Sequence, residues 1–575
     1  MKRLLINIIV LAGLLSCGHK PSDKISIFSA HISTIAQQEG LSFTEAASKV
    51  KDLGYKGVDV FVFIEPDNLR ILDSLGFEHA CAVTFFDLTA SNLSEMENLS
   101  LSFVKEHSFD KLMLVPMADA DKHIPADEIY RRIDAFVKRA ATQNTRIVFE
   151  DCDNDAFCND LKSLEQLYEH VPGIGHAFDT GNYLYFGDDC LEAFGKLRDK
   201  IEHVHLKDRY SPENMASVAC FTGCIPQEQI VRELMRSGYD GWYTVEIYNS
   251  PHMLADVALS IANLRNVLSG KPAPTPVKKD IGLQLYSVKG LEGDFEGAMK
   301  KLAGTGITSL EISNYNLGEP LFGYTPEGLK NCISSYGLQL KSSNAKGAGF
   351  DIDHEQACLD AWRQVFADHR AMGCKYFAMT GNMIWKDMEK TARICVLMNK
   401  IGHLAGEYGI RFLYHNHNQE FHPLAGSDTS AYDYLLAHTD PAAVNFELDV
   451  YWAMQGKRDP TEMLRQHPGR FPVLHVKDYY VLGESGKLDF EAIFNAFYEQ
   501  GGEDYFIEME DEVSPERADY IAGIMYNITD YLDKLDKLQQ GIPEADAGPA
   551  PDQVEKSLRD ITCSVNYLRS APYVK

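Results

Sequence analysis

His203-Val204-His205-Leu206-Lys207-Asp208 and its echo Leu474-His475-Val476-Lys477-Asp478 are the stretches around which this chain is organised. Each reads as a short strand. Side chains two apart on a strand share a face, so His205 with Lys207, and His475 with Lys477, reach into one place. Each stretch ends at an aspartate, where a strand would leave a barrel.

Working outward, the chain repeats itself. Ser42-Phe43-Thr44-Glu45 is a capping-box pattern, and Phe43, Ala46, Ala47, Val50 and Leu53 fall on one helical face. Gly54 stops that helix and Val58-Asp59-Val60 begins a strand. The order returns with Phe295, Ala298, Met299, Leu302, Gly306 and Leu310-Glu311-Ile312; Phe43 and Phe295 are 252 residues apart, as are Gly54 and Gly306. Between the copies, the Pro-rich segment 269–280 has linker composition. The flanking units, 25–268 and 281–540, are each the usual size of an eight-stranded barrel. Short apolar runs alternate with amphipathic stretches throughout, the pattern of parallel strands joined by helices. In the first unit strands are expected near 25–29, 57–61, 79–83, 111–115, 146–150, 175–179, 203–207 and 243–247. In the second they are expected near 281–287, 309–312, 339–343, 376–379, 411–415, 445–449, 473–477 and 505–509. The fold class is therefore α/β, two tandem (β/α)8 TIM barrels. Residues 541–575 read as a tail, either loose or strapped across a barrel.

The first 17 residues read as an address: Lys2 and Arg3, an apolar run from Leu4 to Leu15, then Ser16-Cys17-Gly18. The run is too short to span a bilayer as a helix. Leu14-Leu15-Ser16-Cys17 resembles a bacterial lipoprotein box, which implies cleavage before Cys17, a lipid on its sulfur, and a tether over 18–24. An ordinary secretory signal is the alternative. On the lipoprotein reading the protein is exported and lipid-anchored, at the periplasm or cell surface, and that anchor is its one membrane contact. The net charge of −28 repels phosphate backbones and argues against nucleic acid as a partner. Of the 12 cysteines, Cys152/Cys158 and Cys220/Cys224 are close enough in sequence for disulfides, and buried thiols are the equal alternative. Composition sets no oligomeric state.

Barrel active sites lie at the C-terminal strand ends. In the first unit these ends carry Glu150, Asp179, His205 and Glu246. Three carboxylates and an imidazole make a site for one divalent cation, and Mn²⁺, Co²⁺, Zn²⁺ and Mg²⁺ all suit that donor set. Each residue taken alone would more simply cap a strand or pair with a cation; four at successive strand ends favour a site.

These four residues, the His-x-His-x-Lys-Asp strand and Gly238-Tyr239-Asp240-Gly241 resemble the xylose-isomerase-like barrel superfamily of sugar phosphate isomerases and epimerases. The second unit adds Leu283-Gln284-Leu285-Tyr286-Ser287, Tyr414-His415-Asn416-His417, Glu420-Phe421, and Asp449-Val450-Tyr451-Trp452 followed by Gly456 and Asp459-Pro460, which are similar to a bacterial subgroup of it. The resemblance implies that Glu150 and Glu246 hold the metal and face opposite sides of a bound sugar. One would take a proton beside a carbonyl and the other return one, through an enediolate, which is epimerisation. The same enediolate can expel a group at the next carbon, so a 3-keto-glycoside lyase or hydrolase is a near neighbour.

Aligning Arg146–Glu150 with Arg411–His415 puts His415 where Glu150 stands. The second set is then His415, Asp449, His475 and Glu508, and its two imidazoles favour Zn²⁺, Co²⁺ or Mn²⁺ over Mg²⁺. His417, two residues on, shares the face and is an alternative to His415, either as ligand or to orient substrate; whether Glu420 joins is open. Lys207 and Lys477 are candidates to hold a substrate hydroxyl or oxyanion, Asn182 a polar contact, and Trp452 a platform for a sugar face, with strand-end packing as the plain alternative. The expected ligand is a small carbohydrate, unphosphorylated because sugar phosphates are largely cytoplasmic. A non-catalytic carbohydrate-binding lipoprotein is the second reading. A nuclease, also suggested by the barrel, is opposed by the acidic balance and the export signal.

Overall fold

A computed structural model of the 575-residue chain describes residues 24–118, 124–152, 157–275, 278–380, 387–510, 515, 519 and 551–575. The expected signal segment and Cys17 lie outside them. The chain divides into two compact units, one around each barrel.

The first unit is a closed parallel barrel of β1 (Ile25–Phe28), β2 (Gly57–Phe61), β3 (Glu78–Asp87), β4 (Lys111–Met117), β5 (Arg146–Glu150), β6 (Gly175–Asp179), β7 (Ile201–Leu206) and β8 (Tyr243–Val245). Pairing of Ile25 with Tyr243 and of Ser26 with Gly57 closes it. The second is closed by β9 (Gly282–Gln284), β10 (Ser309–Ile312), β11 (Gln339–Ala345), β12 (Tyr376–Met379), β13 (Arg411–His415), β14 (Val444–Asp449), β15 (Val473–Val476) and β16 (Asp504–Ile507), with Gly282 against Phe506. Two tandem barrels are thus the observed architecture.

The repeated signals work as local chemistry. Ser42 accepts from the Glu45 amide, and Glu45 reaches back to the Ser42 amide, at the start of the helix Phe43–Leu53; Gly54 ends it at φ 100°. In the second copy Asp294 accepts from the Gly297 amide and Gly306 ends the helix Phe295–Thr305 at φ 105°. Each helix lays its apolar face on its barrel, with Ala46, Ala47 and Val50 buried in one and Ala298, Met299 and Leu302 in the other.

Two differences from expectation concern chain ends. The last strand of each barrel stops at Val245 and Ile507, short of the expected ends: the Glu246 and Glu508 amides still donate to Leu206 and Val476, but the amides after them leave the ladder for side chains, Ile247 N–H donating to His31 Nε2 at 2.9 Å and Met509 N–H to Ser287 Oγ at 2.9 Å. The expected tail contains a helix, Pro551–Ser570, whose Leu558, Ile561, Val565 and Leu568 are buried in the core of the second unit. Their 3-4-3 spacing is one helical face. None of the eleven cysteines among the described residues is in a disulfide, so neither Cys152/Cys158 nor Cys220/Cys224 is bridged. No described helix is long and apolar enough to cross a membrane.

Candidate metal centres at the barrel mouths

In the first barrel, strand alternation points Glu150, Asp179 and His205 inward, and Glu246 follows immediately after β8. One donor atom from each of the four lies within 4.8 Å of every other, and all are buried. His205 Nδ1 is 3.0 Å from Glu150 Oε1 and 2.5 Å from Glu246 Oε2. Lys207 Nζ sits beside them, 2.6 Å from Asp179 Oδ2, 3.1 Å from Glu246 Oε1 and 3.1 Å from Asn182 Oδ1.

Beneath this group lies a layer that strand-end reasoning does not reach. Asp59 on β2 receives both histidines of the opening motif, His203 Nε2 at 2.7 Å and His205 Nε2 at 3.0 Å, and a Thr244 hydroxyl at 3.1 Å. Burial alone would raise the Asp59 carboxyl, but the two imidazoles bring it down to about 2. Burial opposes charge on His205, yet Glu246, Asp59 and Glu150 together raise it well above the ordinary imidazole range. Burial likewise opposes ionisation of Glu246; Lys207 and His205 outweigh it and hold that carboxyl well below its usual range. Asp179 is pushed up to about 7, by burial first and against the pull of Lys207.

The donor set fits a cation. With Nε2 of His205 engaged by Asp59, Nδ1 faces the carboxylates. Asp179 Oδ2, His205 Nδ1 and Glu246 Oε2 are buried and make no hydrogen bond, although each is within ion-pair distance of a neighbour. Three hard oxygens and one nitrogen suit a divalent ion of the Mg²⁺, Mn²⁺, Co²⁺ and Zn²⁺ range.

The second barrel repeats the plan with changed parts. Donor atoms of His415, Asp449 and His475 lie within 4.8 Å of one another. Glu508 approaches through His475, whose Nδ1 is 3.4 Å from its Oε2. His475 Nε2 is 2.5 Å from Glu311 Oε1 on β10, the position 252 residues after Asp59. Gln284 and Ser342 also donate to Glu311, at 2.7 and 2.6 Å. Glu447, two residues before Asp449 on β14, takes His415 Nδ1 at 3.0 Å. Burial and then Glu311 raise the Glu447 carboxyl well above its ordinary value. His415 is held well below the imidazole range, first by burial and then by His475 and His417.

Of the two neighbouring histidines at this mouth, His415 joins the cluster of close donors, and His417 stands outside it, its ring 5.2 Å from that of His415. Glu420 accepts from the Tyr414 hydroxyl at 2.9 Å and the His417 amide at 2.9 Å, and Tyr414 packs in the core outside the strands, so Glu420 is no part of the cluster. Lys477 Nζ lies 2.6 Å from Glu510 Oε1 and 3.4 Å from Glu508 Oε2, over the ring of Trp452. Trp452 is buried rather than an open platform, and its Nε1 has no hydrogen-bond partner. Asn182 is buried too: it holds Lys207 through its oxygen and the Asp151 carbonyl through its nitrogen at 2.6 Å, which makes it a support for the lysine.

The residues that strand-end reasoning missed had a signal. Asp59 and Glu311 are acidic residues inside apolar strands at the same point of the repeat, and His203 shares a strand face with His205.

Comparison with known proteins gives the family of the fold. The family model of the xylose isomerase-like TIM barrel matches residues 108–267 and 299–527. The chain belongs to that family, twice over. Among curated proteins it is similar to the inosose dehydratase of Clostridium beijerinckii, 33% identical over 90 residues, covering 13% of this chain and 30% of that one. It is also similar to the inosose dehydratase of Clostridium botulinum strain Eklund 17B, 25% identical over 170 residues, covering 25% of this chain and 55% of that one. The chain thus matches between about a third and about half of the length of these relatives. Among solved structures it is similar to a sugar phosphate isomerase/epimerase from Parabacteroides distasonis, 26% identical, covering 52% of this chain and 96% of that one at a TM-score of 0.43.

Proposed function

We propose that the first barrel is a divalent-metal-dependent enzyme that removes a proton beside the carbonyl of an unphosphorylated sugar or keto-sugar, an isomerase or epimerase by outcome. The observation that carries this reading is the buried quartet Glu150, Asp179, His205 and Glu246, one donor atom of each lying within 4.8 Å of every other. A divalent cation held by these four residues would polarise the substrate carbonyl and its neighbouring hydroxyl, making the C–H between them acidic. Glu246, paired with Lys207 at 3.1 Å, is the base that accepts the proton. Glu150, which also approaches His205 Nδ1 at 3.0 Å, enters the reaction protonated and delivers that proton to the enediolate, so the exchange leaves Glu246 protonated and Glu150 ionised. Lys207 is an ammonium with Asn182 fixing its direction, and it donates to a substrate oxygen as charge develops there.

The relatives' name favours a second outcome for the same first step. Both relatives are named dehydratases, and the same enediolate can lose the hydroxyl of the next carbon as water. A lyase or hydrolase acting on a 3-keto-glycoside uses the same residues. In the second barrel His415 replaces one of the paired carboxylates, so two-base chemistry belongs to the first. Export and lipid anchoring through Cys17 complete the proposal and argue for substrates without phosphate.

The test is the metal content of the soluble protein from residue 25 onward, by elemental mass spectrometry, for wild type, His205→Ala and His475→Ala. One equivalent lost in each variant supports two metal barrels. Wild type that stays metal-free after exposure to Mn²⁺, Co²⁺ and Zn²⁺ sinks the metalloenzyme.

A further inference from the structure

The two mouths share a ligand plan but differ in their walls. In the first barrel the inward residues of β1 to β3 above Asp59 are apolar and mostly aromatic. Phe28 lies edge-on to His205, with ring centres 5.9 Å apart. Phe61 follows at 4.7 Å from Phe28, and then Phe63 stacks on Phe61 at 4.8 Å, within 8° of parallel, with Phe85 at 5.4 Å on its other neighbour strand. Cys81 and Val83 fill the wall between them. The run begins buried at the imidazole and ends in solvent, where Phe63 is 66% exposed and Phe85 40% exposed.

Register gives the matching positions in the second barrel. Phe28 pairs with Asp59 as Gln284 pairs with Glu311, and Asp59 pairs with Cys81 as Glu311 pairs with Ser342. Phe28, Phe61, Cys81, Val83 and Phe85 therefore correspond to Gln284, Ser313, Ser342, Asn344 and Lys346. Not one of these five is apolar, and Gln284, Ser342 and Asn344 hydrogen-bond the buried glutamates. Phe63, two residues past Phe61, falls at Tyr315, which is buried with its hydroxyl on Asp368 and its ring against His369; the exposed aromatic wall is thus a property of the first mouth, not a requirement of the barrel.

Exposed phenylalanines stacked in a row are costly in water and mark a binding surface. Their occupant must be polar where it meets Lys207 and the carboxylates, and flat and apolar where it meets Phe61, Phe63 and Phe85. A single sugar ring held at the carboxylates would leave the outer rings uncovered. We infer that the first barrel takes a glycoside: the sugar that reacts sits at the quartet, and the ring attached to it lies on Phe61, Phe63 and Phe85. This rests on the reading of that mouth as a sugar site. Two kinds of attached ring offer the apolar face, an aromatic aglycone through its π-surface and a second sugar through its C–H face.

The test is calorimetric binding of D-glucose, phenyl β-D-glucoside and cellobiose to the metal-loaded soluble chain, in wild type, Phe63→Ala, Phe85→Ala and the double variant. Both side chains are exposed enough for the variants to fold. The expected result is that one or both glycosides bind more tightly than glucose. Each single variant should weaken that glycoside about 3- to 10-fold while leaving glucose unchanged. Which glycoside gains identifies the attached ring. Equal affinities for all three ligands, no binding of any, or a glycoside advantage intact in the double variant would overturn the inference. Because the readout is binding, a protein that binds the glycosides through Phe63 but turns nothing over would sink the enzyme reading alone.

Discussion

Asp59 decides which ring nitrogen of His205 faces the carboxylates, and it does so from the middle of β2, 3.0 Å from Nε2. Asp59→Asn keeps the shape but weakens the acceptor and frees the imidazole tautomer, so metal affinity is expected to fall about 10- to 100-fold, as for other partners of metal-bound histidines. Equilibrium dialysis at fixed pH checks this, with circular dichroism unchanged. A second residue-scale effect concerns Glu420, which lies away from the ligand cluster. Burial lifts its carboxyl to about 7 from an ordinary value near 4.5. Between those values the folded protein retains a proton that the unfolded chain has released, so this group makes stability fall as pH rises through the window and stay low above it. Replacing it with glutamine removes that slope. The stability of Glu420→Gln relative to wild type is expected to be about 2–3 kcal/mol more favourable at pH 8 than at pH 5, measured by denaturant titration.

At the scale of elements, the helix Pro551–Ser570 carries more weight than a tail would. Leu568 is fully buried in the core of the second unit, and Leu568→Ala is expected to destabilise that unit by about 2–4 kcal/mol, read as an earlier step in its denaturation curve. The apolar residues of this helix were legible as one face, but the Pro- and Ala-rich residues before it have the composition of loose chain. Strands were the most legible elements: Gly57–Phe61, Arg146–Glu150, Gly175–Asp179, Ser309–Ile312, Tyr376–Met379 and Arg411–His415 match their expected ends. Strand ends at β8 and β16 were not legible, because the amides that leave the ladder go to His31 and Ser287, more than 200 residues away in sequence.

At the scale of the whole molecule, the unequal candidate ligand sets of the two barrels predict, on the proposed function, a division of labour. Glu246→Gln is expected to lower turnover of the eventual substrate at least 100-fold, whereas Glu508→Gln leaves most of it, as checked by steady-state rates on the metal-loaded chain. The reverse result would assign the chemistry to the second barrel. Metal choice should divide in the same way. The oxygen-rich quartet is expected to accept Mg²⁺ or Mn²⁺, and the His415, Asp449 and His475 group to prefer Zn²⁺ or Co²⁺. Competition dialysis on His205→Ala and His475→Ala proteins, each with one site left, distinguishes them.

By itself the sequence determined the number and kind of barrels, the repeat, and which carboxylates and imidazoles stand at strand ends, because period-two alternation and a 252-residue offset are properties of the chain alone. Only the tertiary structure decided what those residues face. Asp59 meets His203 and His205 across the barrel, from strands 144 and 146 residues apart in sequence. His415 rather than His417 enters the second cluster, and Phe28, Phe61 and Phe85 become one wall although they lie on three strands. The physical reason is common to all three: they depend on the register and tilt with which neighbouring strands close the barrel, and that closure brings together residues the linear pattern leaves far apart.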